Sequence, residues 1–192
     1  MTTTRKHTIK TLDIIRENNM IPKDSPFEHL NKKTLFKRWD LIPRYLAIEN
    51  HFGENDYGWE LFRKLRLHQS SEFGDGHAQS DYDQTARSDY ERLIKSVEAA
   101  GYNRGYPLIV NEEGLRINKG WLRFACCLYF GIDEIPCVFD TLNPSPSYSL
   151  TWMKTEVGYT AKEIRLIREG HTRMFAKLRA SILSGNGDKS DE

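Results

Sequence analysis

The chain has 192 residues, enough for one domain with a sizeable core. Its 28 Lys and Arg stand against 27 Asp and Glu, a formal charge of +1, which gives no support for a strongly basic nucleic-acid surface. Three cysteines, two of them adjacent, do not make a disulfide framework or a zinc spacing, and with no signal peptide or long apolar run the expectation is a cytoplasmic protein without a membrane partner.

In chain order, residues 1–7 are polar and basic, and Thr8–Asn18 suits a short helix with Ile9, Leu12 and Ile15 as its apolar line. Pro22 and Pro26 punctuate a loop. Thr34–Trp39 and Leu41–Ile48 are apolar, interrupted by Asp40 and Pro43, and fit either helical turns or short strands. Trp59–Leu67 reads as a helix. Ser70–Arg87 is long, polar and acidic, with Phe73, Tyr82 and His77 among its acids. Long loops of this kind are often functional. A substrate lid and a solvated acidic loop are both open readings. Ser88–Ala100 is the best-specified helix, with Tyr90, Leu93, Ile94 and Val97 at helical spacing, a Ser88/Glu91 capping box and Gly101 as the stop.

Tyr106–Phe139 is the segment around which the chain is organised. Tyr106–Val110 and Leu115–Ile117 read as strands around the turn Asn111–Gly114, and Asn118 to Gly120 break the second strand. Trp121–Phe130 is apolar on nearly every side and reads as a buried helix ending at Gly131, with Ile135–Phe139 as a last strand. Arg123 is the only charge in that helix and lies in its first turn, where a cation opposes the helix dipole by about 0.3–1 kcal/mol. It converges with the unpaired first-turn N–H groups on one anion, or it snorkels out to Asp133 or Glu134. Thr141–Ser149 is a linker, and Thr151–Val157 a strand or helical turn. Thr160–Ser184 is a long helix with a Thr160/Glu163 capping box and Ile164, Ile167, His171, Phe175, Leu178 and Ile182 on one face. His171 there reads as a core histidine.

Strand, Gly-x-x-Arg, apolar helix, Gly and Ile-Pro-x-Val together resemble the core of the ParB/sulfiredoxin superfamily over roughly residues 80–140. Gly120, Arg123, Ala125, Gly131, Ile135, Pro136 and Val138 match in order. The usual His before the Arg is Leu122, and the usual Asp before the Gly is Lys119, or Asn118 if one residue is inserted. The resemblance implies an α+β fold: a small mixed sheet with packed helices, plus N-terminal helices and a long C-terminal helix. It divides the chain into an N-terminal extension and loop (1–79), the core (80–140), a linker and helix (141–184) and a flexible tail (185–192).

Three functions attach to that superfamily, and fold alone does not choose among them. Sulfiredoxin-type repair requires a Cys inside the Gly-x-x-Arg motif, where this chain has Trp121 and Leu122. A ParB-like DNA-binding or nucleotide-binding regulator is the alternative. Gly158–Ile164 looks like the start of a helix-turn-helix, but no second turn and recognition helix follows, because the apolar line runs on to Ile182, and near-neutral charge makes DNA an unexpected partner. The leading expectation comes from the free serine kinase branch, whose layout is matched by Asp83-Gln84 followed by Leu93–Val97. By that resemblance the protein is a phosphotransferase using ATP, ADP or CTP with Mg²⁺ on a hydroxyl of a small molecule or sugar. Asp83 is then the catalytic base. Asn118, Lys119, Gly120, Trp121 and Arg123 hold nucleotide and phosphate, and Asp75, His77 and Asp81 sit in the substrate loop. Each has a plainer reading: a helix acid for Asp83, a solvent-exposed Lys119, a core Trp121, a strand-ending Asn118.

Overall fold

A computed structural model describes residues 6–17, 38–72, 79–111, 117–140 and 148–185. The fold is α+β, with seven helices and one four-stranded mixed sheet among the described residues.

The sheet has the order β1-β4-β2-β3. Its centre is β4 (Glu134–Asp140), beside which β2 (Leu108–Asn111) runs parallel, with Leu108 opposite Cys137 and Val110 opposite Phe139. A short β3 (Ile117–Lys119) pairs antiparallel to β2 with a register shift between Ile109 and Val110. Leu108, Val110, Ile135 and Cys137 are buried, as period-two alternation requires of one sheet face. The other edge is β1 (Lys6–Lys10), antiparallel to β4, with Ile9 opposite Ile135. Sequence periodicity predicts helix from Thr8; instead the strand runs to Lys10, and α1 (Thr11–Glu17) starts where Thr11 donates its N–H to Asp133 O at 2.7 Å. Pairing to a distant strand outweighs a weak local helix signal.

Leu41–His51 is helix, α2, despite Pro43. That proline stands in the first turn, where its missing N–H has no intrahelical partner to lose. Nine consecutive residues of α2, Leu41 to Glu49, are buried, and the helix packs against α3 (Gly58–Glu72), α5 (Trp121–Phe130) and α7 (Ala161–Gly185). The α2–α3 turn is built by two asparagines. Asn55 Oδ1 accepts from Tyr57 N at 3.1 Å and Gly58 N at 2.7 Å, and Asn50 Oδ1 accepts from Trp59 N at 3.1 Å.

Helix α4 runs over Gln79–Ala100. The long loop expected over Ser70–Arg87 is therefore largely helical at both ends, since α3 continues to Glu72. Ser88 is inside α4 rather than at its cap, and its Oγ donates back to Thr85 O at 3.0 Å. Thr160 and Glu163 do form the predicted box: Glu163 N donates to Thr160 Oγ1 at 3.3 Å and Thr160 N to Glu163 Oε2 at 2.6 Å. Helix α6 (Leu150–Thr155) is capped by Ser149, whose Oγ accepts from Trp152 N at 3.1 Å. Buried Glu49 ties α7 to α2 through Arg173 at 2.6 Å, and Tyr57 OH accepts from the same guanidinium at 3.1 Å. His171 lies against Trp39 and Phe175, as the apolar face of α7 predicts. The expected turn at Asn111–Gly114 and the expected tail fall largely outside the described residues.

Candidate functional site at the start of helix α5

β3 ends at Lys119, and Gly120 turns the chain into α5 with φ 107° and ψ 19°. That conformation is strained for any residue with a Cβ, and here a Cβ would lie 2.5 Å from Leu108 Cδ2. No side chain caps the first turn. The helix is then carried into the core by Phe124, Ala125, Cys126, Cys127 and Leu128, and is stopped by Gly131 at φ 67°. Burial pushes the Cys126 and Cys137 thiols up to about 12 and raises Cys127 as well, so all three stay protonated, as core residues.

Arg123 does not reach Asp133 or Glu134 through any of its hydrogen bonds. It folds back over the first turn, with its guanidinium carbon 3.7 Å from where a Gly120 Cβ would stand. There it donates to the carbonyls of Tyr106 and Pro107, the latter at 3.0 Å. Tyr102 OH donates to the same Tyr106 carbonyl at 2.8 Å. Burial raises the Tyr102 phenol above its usual range, against the opposing pull of nearby Arg123. One cation therefore links the first turn of α5 to the connection between α4 and β2.

Lys119 is exposed at the end of β3, opposite Ile109. Asn118 is half-buried in mid-strand, so it does not end β3. Trp121 is 9 % exposed; the Arg38 guanidinium covers its ring at 3.4 Å, and Phe124 meets it edge-on at 6.1 Å. Its ring belongs to the core, with Arg38 over one face.

The group holding Arg38 there has no counterpart in the sequence reading. Asp40, wholly buried at the start of α2, accepts from Arg38 Nε at 2.9 Å, Arg38 Nη2 at 2.7 Å and Arg44 Nη1 at 2.8 Å. Arg44 also donates to the Asp40 carbonyl and to Gln69 Oε1 at 3.2 Å. Arg38 pairs with Tyr148 in an isolated parallel bridge, so this buried group joins the segment before α2 to the segment before α6. Burial lowers the Arg38 pKa, with Asp40 pulling it back up. A sequence signal existed: Asp40 and Arg44 stand four apart across a helix start.

Asp81 and Asp83 lie in the first two turns of α4, and Asp75 and His77 fall outside the described residues. Asp83 precedes Ala100 by 17 residues, about 25 Å at 1.5 Å per residue. Arg123 sits against Tyr102, just past the Ala100 end. The acid expected as base and the cation expected to hold phosphate thus belong to opposite ends of α4. Among the described residues no cluster of three His, Cys, Asp or Glu could hold a metal, and no helix is long and apolar enough to cross a membrane. No family model, curated protein or solved structure matches the chain.

Proposed function

We propose that this protein binds the phosphates of a nucleotide (ATP, ADP or CTP with Mg²⁺) at the first turn of α5, as a ParB/sulfiredoxin-like regulatory protein of the cytoplasm without turnover. The observation that carries the reading is the Arg123 guanidinium folded over an uncapped helix start at Gly120. The guanidinium is held by the Tyr106 and Pro107 carbonyls, and its charge together with the first-turn N–H groups favours an anion at that turn. Exposed Lys119 adds a second positive charge. With no metal cluster among the described residues, Mg²⁺ arrives on the nucleotide's own phosphates.

Transfer to a small-molecule or sugar hydroxyl needs a carboxylate at that turn. Asp83 on the far half of α4 supports binding better than transfer. The test is thermal unfolding with each nucleotide and Mg²⁺, on the wild type and Lys119→Glu. Nucleotide at 100 times its Kd stabilises by about 2.7 kcal/mol, a rise of roughly 5–11 °C in Tm at this chain length. The charge reversal removes most of that rise. No rise with any nucleotide refutes the site, and ADP or CDP accumulating over hours refutes the absence of turnover.

A second reading, DNA, is favoured by one feature. Helix α6, a turn with Gly158 at φ 75°, and α7 resemble a helix-turn-helix, with Met153, Val157, Tyr159 and Ile167 turned inward. Lys154, Lys162, Arg165 and Arg168 are exposed on its outer side. Retardation of random duplex DNA that weakens steeply with salt supports it, and none at low salt refutes it.

A further inference from the structure

Among the described residues, two large hydrophobic side chains are exposed, Phe52 at 37 % and Tyr106 at 67 %. They differ in the charge around them. Phe52 closes α2, its N–H bonded to Ile48 O at 3.2 Å, and its ring belongs to a cluster. It stacks on Tyr129 with centroids 5.3 Å apart and 6° between the planes, and meets Phe130 edge-on at 6.0 Å. Tyr129 and Phe130 are half-buried in the last turn of α5, so the three rings form one apolar patch. Carboxylates rim it. Tyr129 OH donates to Glu54, and burial together with Glu54, Glu49 and Glu98 holds the Tyr129 phenol above its usual range. Arg173 pairs with Glu49, and Lys177 lies 3.9 Å from Glu54. Among the described residues no ion pair occupies Glu98, or Asp56 in the turn that follows Phe52, and both are exposed. Contiguous apolar patches with a polar rim mark interaction surfaces.

Tyr106 has the opposite setting. It stands in the turn between α4 and β2, two residues after exposed Arg104, and its carbonyl accepts from Arg123. Arg123 is in the first turn of α5, and Tyr129 and Phe130 are in the last. The two exposed rings therefore belong to opposite ends of that helix, about 10 Å apart along its axis at 1.5 Å per residue. We propose that a second copy of this chain covers the Phe52 patch, setting its Tyr106 ring against Phe52, Tyr129 and Phe130 and its Arg104 toward Asp56 and Glu98. Charge complementarity selects the occupant: the patch is acidic at its rim, and the other exposed ring of the same chain is the one accompanied by cations. An aromatic anchor seated at the centre of a patch with a charged rim is where interface energy concentrates. Joining unlike patches gives a closed twofold dimer when both contacts form at once, and a head-to-tail series when one does. Three rings make a small anchor, so the contact is weak, with a Kd between about 1 μM and about 1 mM.

The experiment is sedimentation velocity of the full chain from about 10 μM to about 500 μM, the range of weak contacts. The samples are the wild type, Phe52→Ser, Tyr106→Ser and an equimolar mixture of the two variants. Expected is a wild-type mass that rises with concentration and falls back as salt rises. Each variant stays a monomer where the wild type associates. The mixture regains association, because Phe52→Ser keeps the Tyr106 anchor and Tyr106→Ser keeps the patch. That recovery also answers misfolding, since two misfolded variants would not restore each other. A wild type that is monomeric at every concentration overturns the proposal and leaves the patch to a basic segment of a different protein. Association undiminished in either variant overturns it as well, because the contact then lies elsewhere. Variants that are monomeric both apart and together overturn the pairing of Phe52 with Tyr106.

Discussion

Replacing Asp40 with Asn tests what joins the start of α2 to the start of α5. Asp40 is 0 % exposed and its two cationic partners, Arg38 and Arg44, are each 5 % exposed. Its carboxylate accepts three hydrogen bonds from them, at 2.7, 2.8 and 2.9 Å. An amide keeps the shape but turns one acceptor into a donor facing a guanidinium, and it leaves two buried positive charges without their counter-charge. Removing one partner of a buried ion pair costs about 3–5 kcal/mol, mostly the desolvation of the charge left behind. For a chain of this size each kcal/mol moves Tm by about 2–4 °C, so Asp40→Asn lowers it by roughly 6–20 °C. The assay is far-ultraviolet circular dichroism melting, with Glu60→Gln as control. That residue makes an exposed pair with Arg63 at 3.2 Å, worth about 0–1 kcal/mol. The double variant Asp40→Asn with Arg44→Met then recovers part of the loss, because one uncompensated charge has gone with its partner. A Tm drop under 2 °C for Asp40→Asn, equal to the control, refutes the view that this group is a buried electrostatic joint.

Three further outcomes follow from positions where space or charge is decisive. Gly120→Ala places a Cβ at φ 107°, 2.5 Å from buried Leu108, and costs about 2–5 kcal/mol of left-handed strain and overpacking together, read as a loss of urea midpoint. Gly170→Ala gains up to about 1 kcal/mol of helix propensity, yet its Cβ meets Leu46 Cδ2 at 2.6 Å where α7 crosses α2. A net destabilisation of about 1–2 kcal/mol in the same melt separates close approach from propensity. His171 is held neutral by burial, down to about 4 from 6.5. The unfolded chain takes up that proton below about pH 6.5 and the fold does not. Its contribution is therefore whole above pH 6.5 and is lost as pH falls toward 4, by about 1.4 kcal/mol per pH unit. His171→Phe flattens the stability profile across that window. An unchanged slope shows that other groups set it.

The sequence made the middle of the chain legible because its signals there are local. Trp121–Phe130 is closed by glycines at both ends, and each closure requires φ above zero, which the sequence states directly. The box at Thr160 and Glu163 is likewise complete within four residues. What was misread depended on distant partners. β1 exists because Lys6–Lys10 finds β4 more than a hundred residues away, and nothing inside KHTIK states that pairing. Ser88 and Glu91 satisfy the letter of a capping box, but α4 begins nine residues earlier at Gln79, so a cap pattern inside a longer helix carries no boundary information. The Arg38–Asp40–Arg44 group was hidden for a third reason: charged residues are read as surface, and only tertiary burial turns them into a joint.

The Gly-x-x-Arg motif has a further lesson in which of its residues can report on a ligand. Gly120 is required by its backbone angle and by Leu108, whether or not anything binds. Arg123 holds the Tyr106 and Pro107 carbonyls and so serves the fold in the absence of any anion. Substituting either one confounds folding with binding, and a loss of nucleotide affinity in Arg123→Ala alone decides nothing. Lys119 is different. It is exposed at the end of β3, beside the turn, and among the described residues no ion pair occupies its charge. If the turn binds nucleotide, Lys119→Glu weakens that binding with Tm of the free protein unchanged to within about 2 °C. If that variant melts and titrates as wild type, Gly120 and Arg123 serve the turn and the carbonyls alone, and the phosphate site is refuted at the position able to reveal it.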